Sequence, residues 1–130
     1  MEHTPVGAFT WERGSAETFT GVVWSSPLSR APDRTVTAIG VMFEPGARSF
    51  WHSHPDGQLL YVANGAGRVG SADGRVTDIA AGDVIYTPAG ETHWHGAAPH
   101  TYLMHVSITT GGATAWEPRA VTDEEYNAGS

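Results

Sequence analysis

The sequence contains no cysteine. A disulfide, a thiolate nucleophile, a cysteine-held zinc ribbon and an iron–sulfur centre are therefore excluded. A basic start followed by an apolar run is also missing. The first residues read MEHTPVGAFTWERG, which is not a secretory leader. Between Glu91 and Glu117 there is no Asp, Glu, Lys or Arg, yet histidines, threonines, glycines and a proline interrupt that stretch. A membrane span is not expected there. Clusters of Lys or Arg are lacking too. Fourteen acidic residues against seven basic ones give a net charge of −7, which disfavours nucleic acid and anionic membrane as partners. A cytoplasmic protein acting on a small molecule fits these absences.

No internal repeat, no low-complexity linker and no helical stretch of ten residues is visible. The 130 residues, 40% of them hydrophobic and five of them tryptophan, suit one folded domain. What is abundant is punctuation: 16 glycines and 8 prolines separate short segments rich in Val, Ile, Thr and aromatics. That is an all-β pattern of short antiparallel strands. Strands are expected at TFTGVVWSSP, TVTAIGVMFEPG, SFWHSH, QLLYVANG (ending in a glycine turn), DVIYTPAG, THWHGAA and TYLMHVSIT. AGRVGSADGRVTDI reads as a hairpin closed by a two-residue Asp73-Gly74 turn. The acidic tail TDEEYNAG, capped by Thr122 or Asp123, has room for a turn or two of helix. Such a chain closes into a sandwich or small barrel. The barrel is expected over about residues 19–110, with an N-terminal arm 1–18 and an acidic tail 117–130.

Four of the seven histidines form two His-x-His pairs, His52 with His54 and His93 with His95. Side chains two apart on a strand share a face. If both strands turn those faces inward, four imidazoles meet, and Gln58 begins the next strand within reach. A lone His-x-His is more often surface or satisfied core. Two pairs plus a glutamine, each beside a Gly/Pro turn, point instead to a first-row divalent metal. Three His and a Gln leave the +2 charge uncompensated and two positions open, which suits a Lewis acid better than a closed structural zinc. Model His titrates near pH ~6.5, so metal should be lost progressively in acid. His3 and His100 lack such a setting and are expected in solvent. Parity sends Trp51 and Trp94 to the opposite face. On the last strand Leu103, His105 and Ser107 share one face, and Tyr102, Met104, Val106 and Ile108 the other. A single barrel has one inside, so the outward apolar set implies covering by another segment or by a second subunit. A homodimer, or a multiple of one, is expected.

GARSFWHSHPDGQLLYVANG and GDVIYTPAGETHWHGA resemble the two conserved motifs of the cupins, with Gln58 where the family usually has Glu and Ala97 where it usually has Asn. FEPGAR, WHSHPDGQ, HWHGAAP and VTDEEY are similar to the small bacterial cupins that act as manganese-dependent hydroxynitrile lyases, and to their relatives. The resemblance implies a cupin jelly-roll barrel. It implies one divalent metal per chain, manganese first, with Fe, Ni, Co or Zn as alternatives, held by His52, His54, Gln58 and His93. It also implies that His95, His105 and Ser49 line the pocket as catalytic groups. Parity agrees for His95 and His105 but puts Ser49 out of phase with His52, which only a bulge or a rim position would mend. The expected activity is metal-dependent cleavage or formation of a cyanohydrin, with His95 or His105 as the base. An iron-dependent oxygenase and a non-catalytic binding cupin are the alternatives.

Overall fold

The computed structural model describes residues 1–28 and 35–129. Among the described residues the fold has a 3-10 turn at Val6–Ala8, twelve antiparallel strands and one α-helical turn: β1 Glu12–Arg13, β2 Phe19–Thr20, β3 Val23–Pro27, β4 Val36–Phe43, β5 Arg48–Ser49, β6 His52–Ser53, β7 Gln58–Ser71, β8 Val76–Ala80, β9 Val84–Thr87, β10 His93–Ala97, β11 Leu103–Thr110, β12 Ala115–Trp116 and α1 Asp123–Tyr126. The strands run β1-β3-β4-β11-β7-β10-β5-β2, with β8 and β9 on β7 and with β6 between β10 and β12. This is a curled antiparallel sheet closing on itself as a jelly-roll half-barrel. Among the described residues no helix is long and apolar enough to cross a membrane.

Several local expectations change. The segment QLLYVANG does not end in a turn at Gly65. β7 runs on to Ser71 as one 14-residue strand, pairing β11 with its first half and β10 with its second. The register slips between Met104 and His105, so Ala63 is an extra residue on β7. Gly65 follows with φ 80°, a backbone state that glycine adopts without strain. This bend lets one strand serve both sheets. The Asp73-Gly74 hairpin has a three-residue loop instead of two. Ser71 N–H donates to Arg75 O, and Gly74 N–H to Ser71 O. The first expected strand is two pieces, β2 and β3, and SFWHSH is likewise divided into β5 and β6.

Inside, Phe43, Val62, Leu103, Val41 and Val23 fill one part of the barrel. The inward positions nearer β6 and β10 are histidines. Outside β10, Trp51 and Trp94 form a second core with Val121 and Tyr126 of the chain's own tail. Trp94 fits because Gly70 lies opposite it on β7, where a Cβ would collide with the indole. The tail is held by complementary chemistry. Thr122 and Glu125 form a capping box at α1, which satisfies two orphan amides. Tyr126 donates its hydroxyl to Ala97 O, and Arg48 and Arg68 each stack on its ring, at 4.5 and 4.7 Å. Truncating Tyr126→Ala is expected to cost about 3–5 kcal/mol, like other buried aromatics, read as a lower urea midpoint. On the other sheet Leu59, Tyr61, Val84 and Tyr86 stay exposed, beside half-buried Met104, Val106 and Ile108. This is the face on which the sequence expects a second subunit.

Candidate metal centre

His52 and His93 are direct antiparallel partners across β6 and β10. Strand alternation then brings His54 and His95 to the same interior side. All four rings are buried. The His52 centroid lies 5.1 Å from His54, 4.3 Å from His93 and 4.9 Å from His95. His105 is fully buried beneath them on β11, with Nε2 3.0 Å from His95 Nδ1.

The tautomers fix the chemistry. His52 Nδ1 sits 2.9 Å from Phe50 O, and His93 Nδ1 2.9 Å from Glu91 O. A carbonyl only accepts, so each Nδ1 carries the proton and each Nε2 offers a lone pair. Gln58 Oε1 nevertheless lies 3.2 Å from His93 Nε2. A neutral imidazole has one N–H and cannot donate at both ends. Protonation, or a turned Gln58 amide, would resolve the clash, but burial drives these rings away from protonation. It pushes His52 down to about 3, with His93 adding to the effect, and His54 down to about 4, again helped by His93. Burial also lowers His93. With Gln58 Oε1 toward His93 Nε2, and with His54 Nε2 and His95 Nε2 buried without a partner, the convergent lone pairs of these neutral imidazoles fit a cation between them. The donor set therefore suits a divalent transition metal.

Each residue singled out in the sequence has a definite place. Nitrogens of His52, His93 and His95 lie within 4.8 Å of one another. Hence the tightest histidine triad includes His95, not His54. His54 Nε2 is nonetheless buried without a partner, while its Nδ1 is 3.4 Å from Thr114 Oγ1. His95 Nε2 is also unpartnered. Its Nδ1 is engaged by His105, and burial, then His105, pushes its pKa well below the ordinary range. Burial takes His105 down to about 4. His3 and His100 are exposed. Ser49 is brought in by a bulge. Three residues separate Arg48 from His52, but only two separate their partners Gly96 and His93. The extra residue resets parity, and the buried Ser49 Oγ accepts from His95 N–H at 3.2 Å. It supports the backbone of His95 rather than lining the cavity.

The cavity beside the cluster has a volume of about 150 Å³. Phe19, Ile39, Val41 and Trp116 wall it, with His52, His54, His95, His105, Ser25, Ser107 and Thr114 as its polar members. Trp116 and Thr114 were not legible in the sequence. They follow the last barrel strand, and reach the site because β12 pairs with β6, which puts the Trp116 ring 4.6 Å from His52. Their only sequence signal is the Gly111-Gly112 turn that lets the chain double back.

A family model for the cupin domain matches residues 40–109. The chain is a cupin. Over 97% of its length, and 98% of the relative's, it is 45% identical to the (R)-mandelonitrile lyase of Granulicella tundricola. This cupin superposes on a cupin-like protein from Thermotoga maritima with a TM-score of 0.83 at 40% identity, covering 88% of this chain and 89% of that one. A polyketide cyclase from Streptomyces resistomycificus shares the fold at a TM-score of 0.73 and 18% identity, over 97% and 90% of the two chains.

Proposed function

We propose that this cupin is a metal-dependent lyase that splits an aromatic cyanohydrin into an aldehyde and hydrogen cyanide, and catalyses the reverse addition. The observation that carries the reading is the cavity. It sets the unpartnered His95 Nε2 close to the convergent donors of the metal centre, among aromatic and aliphatic walls. None of its described lining residues is Arg or Lys, so apart from the metal itself the walls offer no counter-charge, and a neutral aromatic substrate fits them. The name of the Granulicella relative supports the same chemistry.

His52, His54, His93 and Gln58 would hold the ion, with manganese the first candidate. When bound, it supplies a Lewis-acid charge that lowers the pKa of a nearby hydroxyl. His95 Nε2 takes the hydroxyl proton as general base. As the carbonyl forms, the carbon–carbon bond breaks and its electron pair leaves with cyanide. His95 then returns the proton to cyanide. His105 serves this cycle from behind. With the shared proton on His95 Nδ1, His95 Nε2 is a base; with that proton on His105 Nε2, His95 Nε2 can carry one and act as an acid. Ser49, holding the His95 backbone, keeps the ring in place.

The test is benzaldehyde release from mandelonitrile by manganese-loaded protein. Release well above the His52→Ala rate supports the proposal. Release at the His52→Ala rate contradicts it.

A further inference from the structure

Ser107 is one inward step beyond His105 on β11, buried, and part of the cavity wall. Its partner across the ladder is Leu60, which makes Gln58 its diagonal neighbour on the same face. Gln58 uses that position: its Nε2 donates to Ser107 Oγ at 2.7 Å. The contact matters in two ways. It goes with an amide orientation in which Oε1, not the NH₂ group, faces His93. It also occupies Ser107 Oγ as an acceptor, while the hydroxyl proton has no acceptor among the described residues. A hydroxyl that accepts from a polarised amide is a stronger donor. Gln58 is so polarised whenever its oxygen faces a cation.

We infer that Ser107 is a specificity-determining hydrogen-bond donor, which directs its proton into the cavity to hold the nitrile nitrogen of the substrate. This rests on the lyase reading for the identity of that group. Two residues along a strand span about 6.6–6.8 Å. The cavity therefore has a base at His95, carried by His105, and a neutral donor one repeat further on. A neutral hydroxyl suits a neutral acceptor such as a nitrile. It also suits the cyanide that develops there, whose charge strengthens the bond as the carbon–carbon bond breaks.

Phenylacetonitrile carries the nitrile without the reactive hydroxyl and is not turned over. Its binding to manganese-loaded protein is followed by tryptophan fluorescence, since Trp116 lines the cavity. Toluene serves as the matched probe without an acceptor. Ser107→Ala, measured at saturating manganese because Ser107 also contacts the Gln58 amide, is expected to weaken phenylacetonitrile by about 3- to 10-fold, the size of one net hydrogen bond, and to leave toluene affinity within about 2-fold. Ser107→Thr, which keeps the hydroxyl, should retain nitrile affinity. Ser107→Cys, similar in size but a weak donor, should lose it and covers the case of an unstable alanine variant. The inference is overturned if wild-type protein does not bind phenylacetonitrile, if Ser107→Ala binds it normally, or if both probes weaken alike. It is also overturned if the loss of nitrile affinity disappears once manganese is saturating, since Ser107 would then only orient Gln58. Neither probe reacts, so the outcome stands apart from whether mandelonitrile is cleaved.

Discussion

His95→Ala is expected to keep its metal and to lose about 10²–10⁴-fold in kcat/KM for mandelonitrile, whereas His54→Ala should lose the metal and the activity together. The two residues are close rivals in the structure. The tightest set of histidine nitrogens is His52, His93 and His95, which on distance alone makes His95 a ligand. The hydrogen bonds favour the proposed assignment. His95 Nδ1 meets His105 Nε2, and a histidine backed by a second histidine has somewhere to pass a proton. His54 has only a long contact to Thr114 behind it and a buried lone-pair nitrogen in front. Such a nitrogen is costly unless something binds it. Metal content and kinetics measured on both variants separate the roles. Metal lost from His95→Ala but kept by His54→Ala would reverse the assignment.

Acid should destabilise the metal-free protein steeply. His52, His54 and His105 are held at about 3, about 4 and about 4 in the fold, while in the unfolded chain they titrate near the ordinary ~6.5. As pH falls through 6.5 the unfolded state takes up protons that the folded state refuses. Stability is therefore full above about pH 6.5 and declines from there to about pH 3–4, where the folded rings finally protonate. The urea midpoint of the metal-free protein should drop markedly between about pH 7.5 and 4.5. A flat profile would contradict burial of neutral imidazoles. The same shifts govern the loaded protein. Protons compete poorly for these nitrogens until about pH 4, so metal should survive dialysis at pH 5 and leave as the pH approaches 3.

The two His-x-His pairs were legible because strand alternation needs only a count of two. The same count placed Trp51 and Trp94 on the far side, where Val121 and Tyr126 cover them. Parity failed where residues were inserted. The extra residue between Arg48 and His52 moved Ser49 from out of phase to buried against His95. The extra residue at Ala63 carried β7 past Gly65, where a turn was expected. A bulge leaves no compositional mark, because any residue can be the unpaired one. Trp116 was missed for a different reason: its place depends on a long-range pairing with β6 that no local pattern encodes. Ser107 was placed on the right face but given no task, since its role comes from the Gln58 amide beside it.

Calorimetric titration of the metal-free protein with Mn(II) tests the central claim most directly. The geometry of His52, His54, His93 and Gln58 predicts one saturable site per chain in the wild type, and none in a folded His52→Ala variant. No saturable binding by the wild type, or equal binding by His52→Ala, would contradict a metal centre at this cluster.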